Sequence, residues 1–385
     1  MQRIILIPDS FKGTMSSLEI CEIMKAEITK HYPRSQIISI PVADGGEGSV
    51  DCFLRALGGE RVTVPVNNPL FEIIDGAYGL TDGGKTAVVE MAACAGLPLI
   101  ESRKDPLGST TYGVGEMILD AARRGARKIL VGLGGSATND GGCGAACAAG
   151  IQFYNGKGES FVPTGGALRE IARVDPSRRD PALDHVEIIS LCDIDNPLFG
   201  PAGAAQVFGP QKGAGPDMIR VIDEGLEHLA DIIRRDMGKN VAGIPGAGAA
   251  GGMGAGLSAF FSARMQMGIE AVLDTVRFDG LLSGTDMVIT GEGRIDRQSL
   301  RGKAVIGVAR RAKRANVPVV AIVGDIGEDI AGVYEEGVTS IISINRAAVD
   351  FSEARKRAKS DLALTVDNLM RFCKRMEQMK GGAAR

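Results

Sequence analysis

Short apolar runs, each ending at a polar loop that mostly carries glycine, recur at both ends of the chain. Ile4 to Ile7 precede Pro8-Asp9-Ser10-Phe11-Lys12-Gly13, and Ile37 to Val42 precede the segment ADGGEG at 43–48. Near the other end, Met287 to Ile289 run into Thr290-Gly291-Glu292-Gly293-Arg294-Ile295-Asp296, Val317 to Val323 into Gly324-Asp325, and Val338 to Ile344 into Asn345-Arg346. Such runs predict buried strands. Between them, apolar residues return at spacings of three and four over 16–32, 304–315 and 352–376, and Ser16 with Glu19 supplies a capping box for the first of these helices. Strands that alternate with helices predict an α/β fold around a doubly wound parallel sheet.

Because two of these strands are N-terminal and three C-terminal, the sheet is expected to be discontinuous in sequence. Residues 1–60 and 281–385 form one domain on this reading, with 61–280 inserted as a second α/β domain. Within the insertion, Val62 to Val66, Ile73 to Leu80 and Thr86 to Met91 predict antiparallel strands, with Thr81-Asp82-Gly83-Gly84 as a hairpin turn. A helix near 114–123 and strands at 128–131 and 186–191 follow, the last ending at Cys192-Asp193-Ile194-Asp195-Asn196-Pro197. Open α/β sheets bind ligands beyond the carboxyl ends of their strands. Asp9, Lys12, Asp44, Glu47, Glu292, Arg294, Asp296 and Asp325 are therefore expected on one edge. The loops Ser136 to Asp140 and Asp193 to Asn196 are expected to turn toward it, making a charged cleft between the domains.

The segment KILVGLGGSATNDGG at 128–142 reads as a strand running into a glycine-dense loop, with a helix resuming at Ala145 to Ala149. That is the outline of an anion cradle, in which glycines let the backbone approach and a helix N-terminus offers N–H groups. Two other matches mislead. GLTDGGKT at 79–86 fits the P-loop pattern by letter, but a strand rather than a helix follows it, so it is a hairpin. Gly246, Gly248 and Gly251 fit the dinucleotide pattern without a convincing strand before them.

Composition narrows the chemistry. With 44% hydrophobic and 24% charged residues the 385-residue chain is that of a soluble protein, and Gly 53 is about twice the usual share of about 7%. A net charge of −3 gives no field for nucleic acid or an anionic membrane. The stretch 241–263 lacks charge but is broken by glycines and Pro245, so it reads as packed loop and helix rather than a membrane span. Seven cysteines without a CxxC pair, and only three histidines, predict reduced thiols in a cytoplasmic protein and no zinc site. None of the polar strand-end loops at 8–13, 43–48, 136–140 and 290–296 carries histidine or cysteine, which disfavours imidazole and thiol chemistry. Carboxylates, lysines and anion-holding loops suit phosphoryl transfer, which asks for acids to hold Mg²⁺, cations for phosphates and one acceptor for a hydroxyl proton.

DSFKGT at 9–14, PVADGGEGS at 41–49, EMAACAGLPL at 90–99, GLGGSATNDGG at 132–142, CDIDNPL at 192–198, FGPQKGA at 208–214, PGAGAAGGMGA at 245–255 and TGEGRIDRQSLRGKAVIGVA at 290–309 stand in this order. Together they closely resemble the bacterial glycerate kinase family, and the resemblance spans essentially the whole chain. It implies a flavodoxin-like domain with a second α/β domain inserted, and phosphorylation of D-glycerate with ATP and Mg²⁺, to 2-phosphoglycerate, in glycolate, glyoxylate or sugar-acid catabolism. The partner is then a small molecule rather than nucleic acid or membrane, with homo-oligomerisation open.

On this basis Lys12, Lys212 and the N–H groups of Gly134, Gly135, Ser136, Thr138, Asn139 and Asp140 are expected to hold phosphate or the substrate carboxylate. Asp44, Glu47 and Asp296 are the expected Mg²⁺ ligands, with Asp44 and Lys12 also placed in the catalytic set. Asp193 is the expected base, with an Asx turn as its structural alternative. Arg294 is expected to pair with the substrate carboxylate, or else to bridge Asp296, while Asn196 joins the substrate site and Lys303 touches phosphate at a helix start. Two other functions are kept: a nicotinamide-dependent hydroxy-acid dehydrogenase, resting on Gly246 to Gly251, and a non-enzymatic sugar-acid sensor.

Overall fold

The computed structural model describes residues 1–42, 48–297 and 299–382. The chain divides into two compact units, Met1–Ala43 with Ile269–Arg385, and Asp44–Gly268. Among the described residues the strands of the two larger sheets are β1 (Arg3–Pro8), β2 (Gln36–Ser39), β3 (Glu60–Asn67), β4 (Ile73–Thr81), β5 (Thr86–Glu90), β6 (Lys128–Gly132), β7 (Glu187–Leu191), β8 (Arg264–Gln266), β9 (Met287–Gly291), β10 (Val319–Val323) and β11 (Val338–Ser343).

In the first unit the order is β11-β10-β9-β1-β2, with every pairing parallel. This is the flavodoxin-like order, whose direction of winding reverses between β1 and β9. The central strands β1, β9 and β10 are largely apolar and buried because both faces of the sheet are covered there, whereas the edge strands β2 and β11 carry polar residues. Ile4, Leu6, Ile289 and Ile322 pack with Ile20, Met24, Leu362 and Val366 from helices Ser17–His31 and Phe351–Gly382. Helix Ala304–Arg314 packs on β1, β9, β10 and β11, and Ile5, Ile7 and Val288 are fully buried as well. The capping box forms as the spacing dictates: Ser16 Oγ accepts the Glu19 N–H and Glu19 Oε2 accepts the Ser16 N–H.

The second unit carries a mixed sheet, β8-β7-β6-β5-β4-β3, parallel from β8 to β5 and antiparallel from β5 to β3. β4 and β5 are joined by a tight turn in which Asp82, Gly83 and Gly84 all have positive φ, so the P-loop look-alike is a hairpin. A separate sheet of Gln152–Asn155, Ser160–Phe161 and Ile171–Asp175, and the long helix Pro216–Met237, complete the unit.

The unit boundaries differ from those drawn at 60/61 and 280/281. Helix Ser49–Leu57 packs on β4 and β5, so it belongs to the second unit. Helices Gly268–Thr275 and Phe278–Leu281 are tied to helix Ala304–Arg314 by Arg311, which is 12% exposed and pairs with Glu270, Asp274 at 2.6 Å and Asp279 at 3.4 Å.

Candidate active site

The carboxyl ends of β1 and β9 lie side by side at the reversal of winding, and backbone hydrogen bonds fix their loops. The Asp9 N–H donates to Gly291 O at 2.8 Å, the Gly324 N–H to Glu292 O at 3.1 Å and the Asp325 N–H to Gly293 O at 3.0 Å. Glycine is required at 291 because a Cβ there would fall on the Ile322 carbonyl oxygen. Arg294–Ile295 then pairs in parallel with Asp325–Ile326. This edge gathers Asp9, Lys12, Glu292, Arg294, Asp296 and Asp325 within the first unit. Arg294, exposed, lies 3.7 Å from Asp296 and 3.9 Å from Asp325, so its carboxylate neighbours in this structure are the protein's own. Lys303 stands exposed at the N-cap of helix Ala304–Arg314.

Glu292 differs from the other acids of this edge. It is 5% exposed, yet its Oε1 has no hydrogen-bond partner among the described residues. Burial pushes its carboxyl up to about 7; the Ser299 hydrogen bond and the Lys303 charge oppose this, while Asp9 and Asp296 reinforce it.

In the second unit the loop after β6 is built around Asp140. Its carboxylate, fully buried, accepts from Thr111 N at 2.8 Å, Thr111 Oγ1 at 2.9 Å, and the N–H groups of Gly142 and Gly144 at 3.1 Å each. The anion at the start of helix Cys143–Ala148 is thus Asp140 itself. Lys212, 1% exposed, donates to Thr138 O at 2.6 Å and Asn139 Oδ1 at 3.4 Å, and Asn139 Nδ2 donates to Pro106 O at 3.1 Å. Burial lowers Lys212 to about 7, with Asp140 opposing, and raises Asp140 above the usual carboxylate range. The side chains of Thr138, Asn139, Asp140 and Lys212 turn inward, and Lys212, expected to hold phosphate or carboxylate, bonds this loop. Ser136, with Gly96, bridges the loop to the segment after β5.

Asp193 is exposed, and its Oδ1 accepts the Gly268 N–H at 2.8 Å. Asn196 Nδ2 donates to Ala202 O at 2.9 Å, and Asn196 O accepts the Gly248 N–H at 3.1 Å. Gly246, Gly248 and Gly251 sit where a Cβ would strike Cys192 and Ile194, Pro197 and Thr138 respectively, so the dinucleotide look-alike is a packing motif. Asp44 and Glu47 lie outside the described residues. Among the described residues no group of three or more His, Cys, Asp and Glu stands ready to hold a metal. No helix of the described residues is long and apolar enough to cross a membrane.

The model of the glycerate kinase family matches residues 4–374. The chain belongs to the glycerate kinase family. Among glycerate kinases it is 43% identical over 368 residues to "Glycerate kinase" of Bacillus cereus, covering 95% of this chain and 97% of the relative. It is 40% identical to "Glycerate 2-kinase" of Escherichia coli, again over 95% and 97%. The crystal structure of a putative glycerate kinase 2 from Salmonella typhimurium LT2 matches with a TM-score of 0.87 at 39% identity, covering 98% of this chain and 99% of that one. Neither the dehydrogenase nor the sensor reading finds support in these relatives.

Sequence reasoning places Glu292 on the ligand edge without giving it a role. Its burial and its orphaned oxygen come from the packing of two loops and the Ser299 turn, which no local pattern announces. The Lys212–Asp140 proximity joins residues 72 positions apart, and no spacing rule links them.

Proposed function

We propose that this glycerate kinase transfers the γ-phosphoryl group of ATP to the 2-hydroxyl of D-glycerate, giving 2-phosphoglycerate and ADP, in the cytoplasm. The observation that carries this reading is the flavodoxin-like edge at β1 and β9, where lysines, an arginine and carboxylates converge at the position such sheets use for ligands. Lys12 and Lys303, the latter at a helix start, are suited to phosphate oxygens. Arg294, held only loosely by Asp296 and Asp325, is free in its geometry to exchange them for the substrate carboxylate. Asn196 and the backbone of Gly134, Gly135 and Ser136 are assigned to substrate and phosphate contacts in the second unit. The inward side chains of Asn139, Asp140 and Lys212 hold that loop in shape.

The donor chemistry of the edge fits Mg²⁺, a hard cation that takes one or two carboxylates and completes its shell with phosphate and water oxygens. Asp296, with Asp44 and Glu47, would hold it. When bound, the ion neutralises charge on the β- and γ-phosphates. A proton acceptor for the hydroxyl completes the set, and two carboxylates qualify, Asp193 and Glu292.

A coupled assay tests the reading. ADP should form from ATP only when glycerate and Mg²⁺ are both present, and phosphorus NMR should show the 2-phosphate ester as product. No ADP with any of a panel of small hydroxy acids overturns the kinase, and the 3-phosphate ester overturns the regiochemistry.

A further inference from the structure

We infer that Glu292 Oε1, rather than Asp193, takes the proton of the attacking hydroxyl; the inference deepens the kinase reading and rests on it. Glu292 immediately follows β9, at the strand end flanking the reversal of winding. Buried polar atoms are nearly always paired, and an orphan asks for an explanation such as an absent ligand. Ser299 supplies the second constraint. Its hydroxyl accepts the Asp296 N–H at 3.2 Å, so its proton is free to go to the Glu292 carboxylate, and the orphaned Oε1 leaves that bond to the other oxygen. Ser299 is itself 0% exposed, so the buried carboxylate is held from one side and left unpaired at one oxygen.

The step balances simply. The hydroxyl oxygen forms a bond to the γ-phosphorus, the bond from γ-phosphorus to the β–γ bridging oxygen breaks with its electron pair leaving on ADP, and the hydroxyl proton passes to Oε1. An acceptor is most effective when its pKa lies near the working pH, and burial holds Glu292 near 7. The charged groups that bear on it are Asp9 from the loop after β1, Asp296 from its own loop and Lys303 from the following helix start. Asp193, by contrast, is exposed, and its Oδ1 is already occupied by the Gly268 N–H at 2.8 Å.

Glu292→Gln keeps the size and the acceptor for Ser299 but cannot take a proton. Its kcat should fall about a hundredfold or more. The KM values for ATP and glycerate, glycerate binding beside a non-hydrolysable ATP analogue, and the thermal transition should stay near those of the wild type. Asp193→Asn should lose less than about tenfold. The wild-type kcat should rise with pH through a limb near 7 that Glu292→Gln lacks, and Ser299→Ala, which removes a donor to the anion, should move that limb upward. An active wild type whose Glu292→Gln variant keeps kcat within threefold, or keeps the limb, overturns the inference. If Glu292→Gln fails to fold, Glu292→Asp decides: a tenfold or greater fall in kcat with an intact thermal transition supports it, and kcat within twofold overturns it. A wild type inactive on glycerate is a separate result, which removes the kinase reading itself.

Discussion

Asp140 and Lys212 are charged groups kept in a dry interior, and each is tolerable only because of what surrounds it. Removing the Asp140 carboxylate strands the N–H groups of Thr111, Gly142 and Gly144 and leaves Lys212 without its opposing charge. Orphaned buried donors cost about 1–3 kcal/mol each, so Asp140→Ala should lose at least about 3 kcal/mol in urea unfolding even with no ligand present. Lys212 gives a pH signature. Its folded pKa of about 7 lies below its ordinary 10.5, so between those values the unfolded chain binds the extra proton. Stability therefore rises with pH across that window, by at most about 1.4 kcal/mol per pH unit, and below about 7 the slope from this group vanishes. Unfolding free energies of wild type and Lys212→Met, compared from pH 7 to 9, should diverge in favour of the wild type by on the order of 1–3 kcal/mol. Equal slopes would show that Lys212 is hydrated in solution. Both residues stand in glycine-rich segments that the sequence marks as ligand loops. Composition locates such loops but does not say whether a side chain faces in or out.

Helix Ala249–Phe260 shows what an element can hide. Ala250, Gly251 and Gly252 have positive φ, and a Cβ on Gly251 would overlap the Thr138 carbonyl oxygen, while one on Gly252 or Gly256 would crowd Gly141. The glycines let this helix start nest against the Asp140 loop, an explanation of the pattern that needs no nucleotide. Gly251→Ala should destabilise by about 3 kcal/mol or more and lower Tm by several degrees, whereas Gly243→Ala, exposed with nothing near its Cβ, should be close to neutral. Calorimetry on the pair checks this, and equal transitions would refute the packing account. Elements were legible where periodicity was strong. The strands at β1, β9, β10 and β11, the hairpin and the capped first helix all read within a few residues of their ends. β8, with three residues, and the strands of the small sheet are too short to carry a period. Helix Pro216–Met237 did carry one, with Ile222, Leu226, Leu229 and Ile233 on its buried face, Pro216 at its start and Gly238 at its end, and reading that signal requires only attention to the segment.

At the scale of the molecule, the two units differ in how their chain is threaded. The second unit is one continuous segment, whereas β1 pairs with β9 some 280 residues later, as the register Ile4 to Met287 records. Contacts so distant in sequence close slowly. Pulsed hydrogen exchange during refolding should protect amides of β5, β6 and β7 before those of β1 and β9, and simultaneous protection would contradict this. The discontinuity itself was legible, because strand-like runs cluster at both termini; the boundaries were not, since helix Ser49–Leu57 is assigned by the sheet it covers rather than by its neighbours in sequence. The threading also bears on damaged messages. A premature stop anywhere from 269 to 286 would release a polypeptide whose middle can fold while β1 and β2 are left as apolar ribbons with no third strand. Such a product should be cleared or precipitate rather than persist as a half-working enzyme, so truncated alleles of this gene should behave as complete losses.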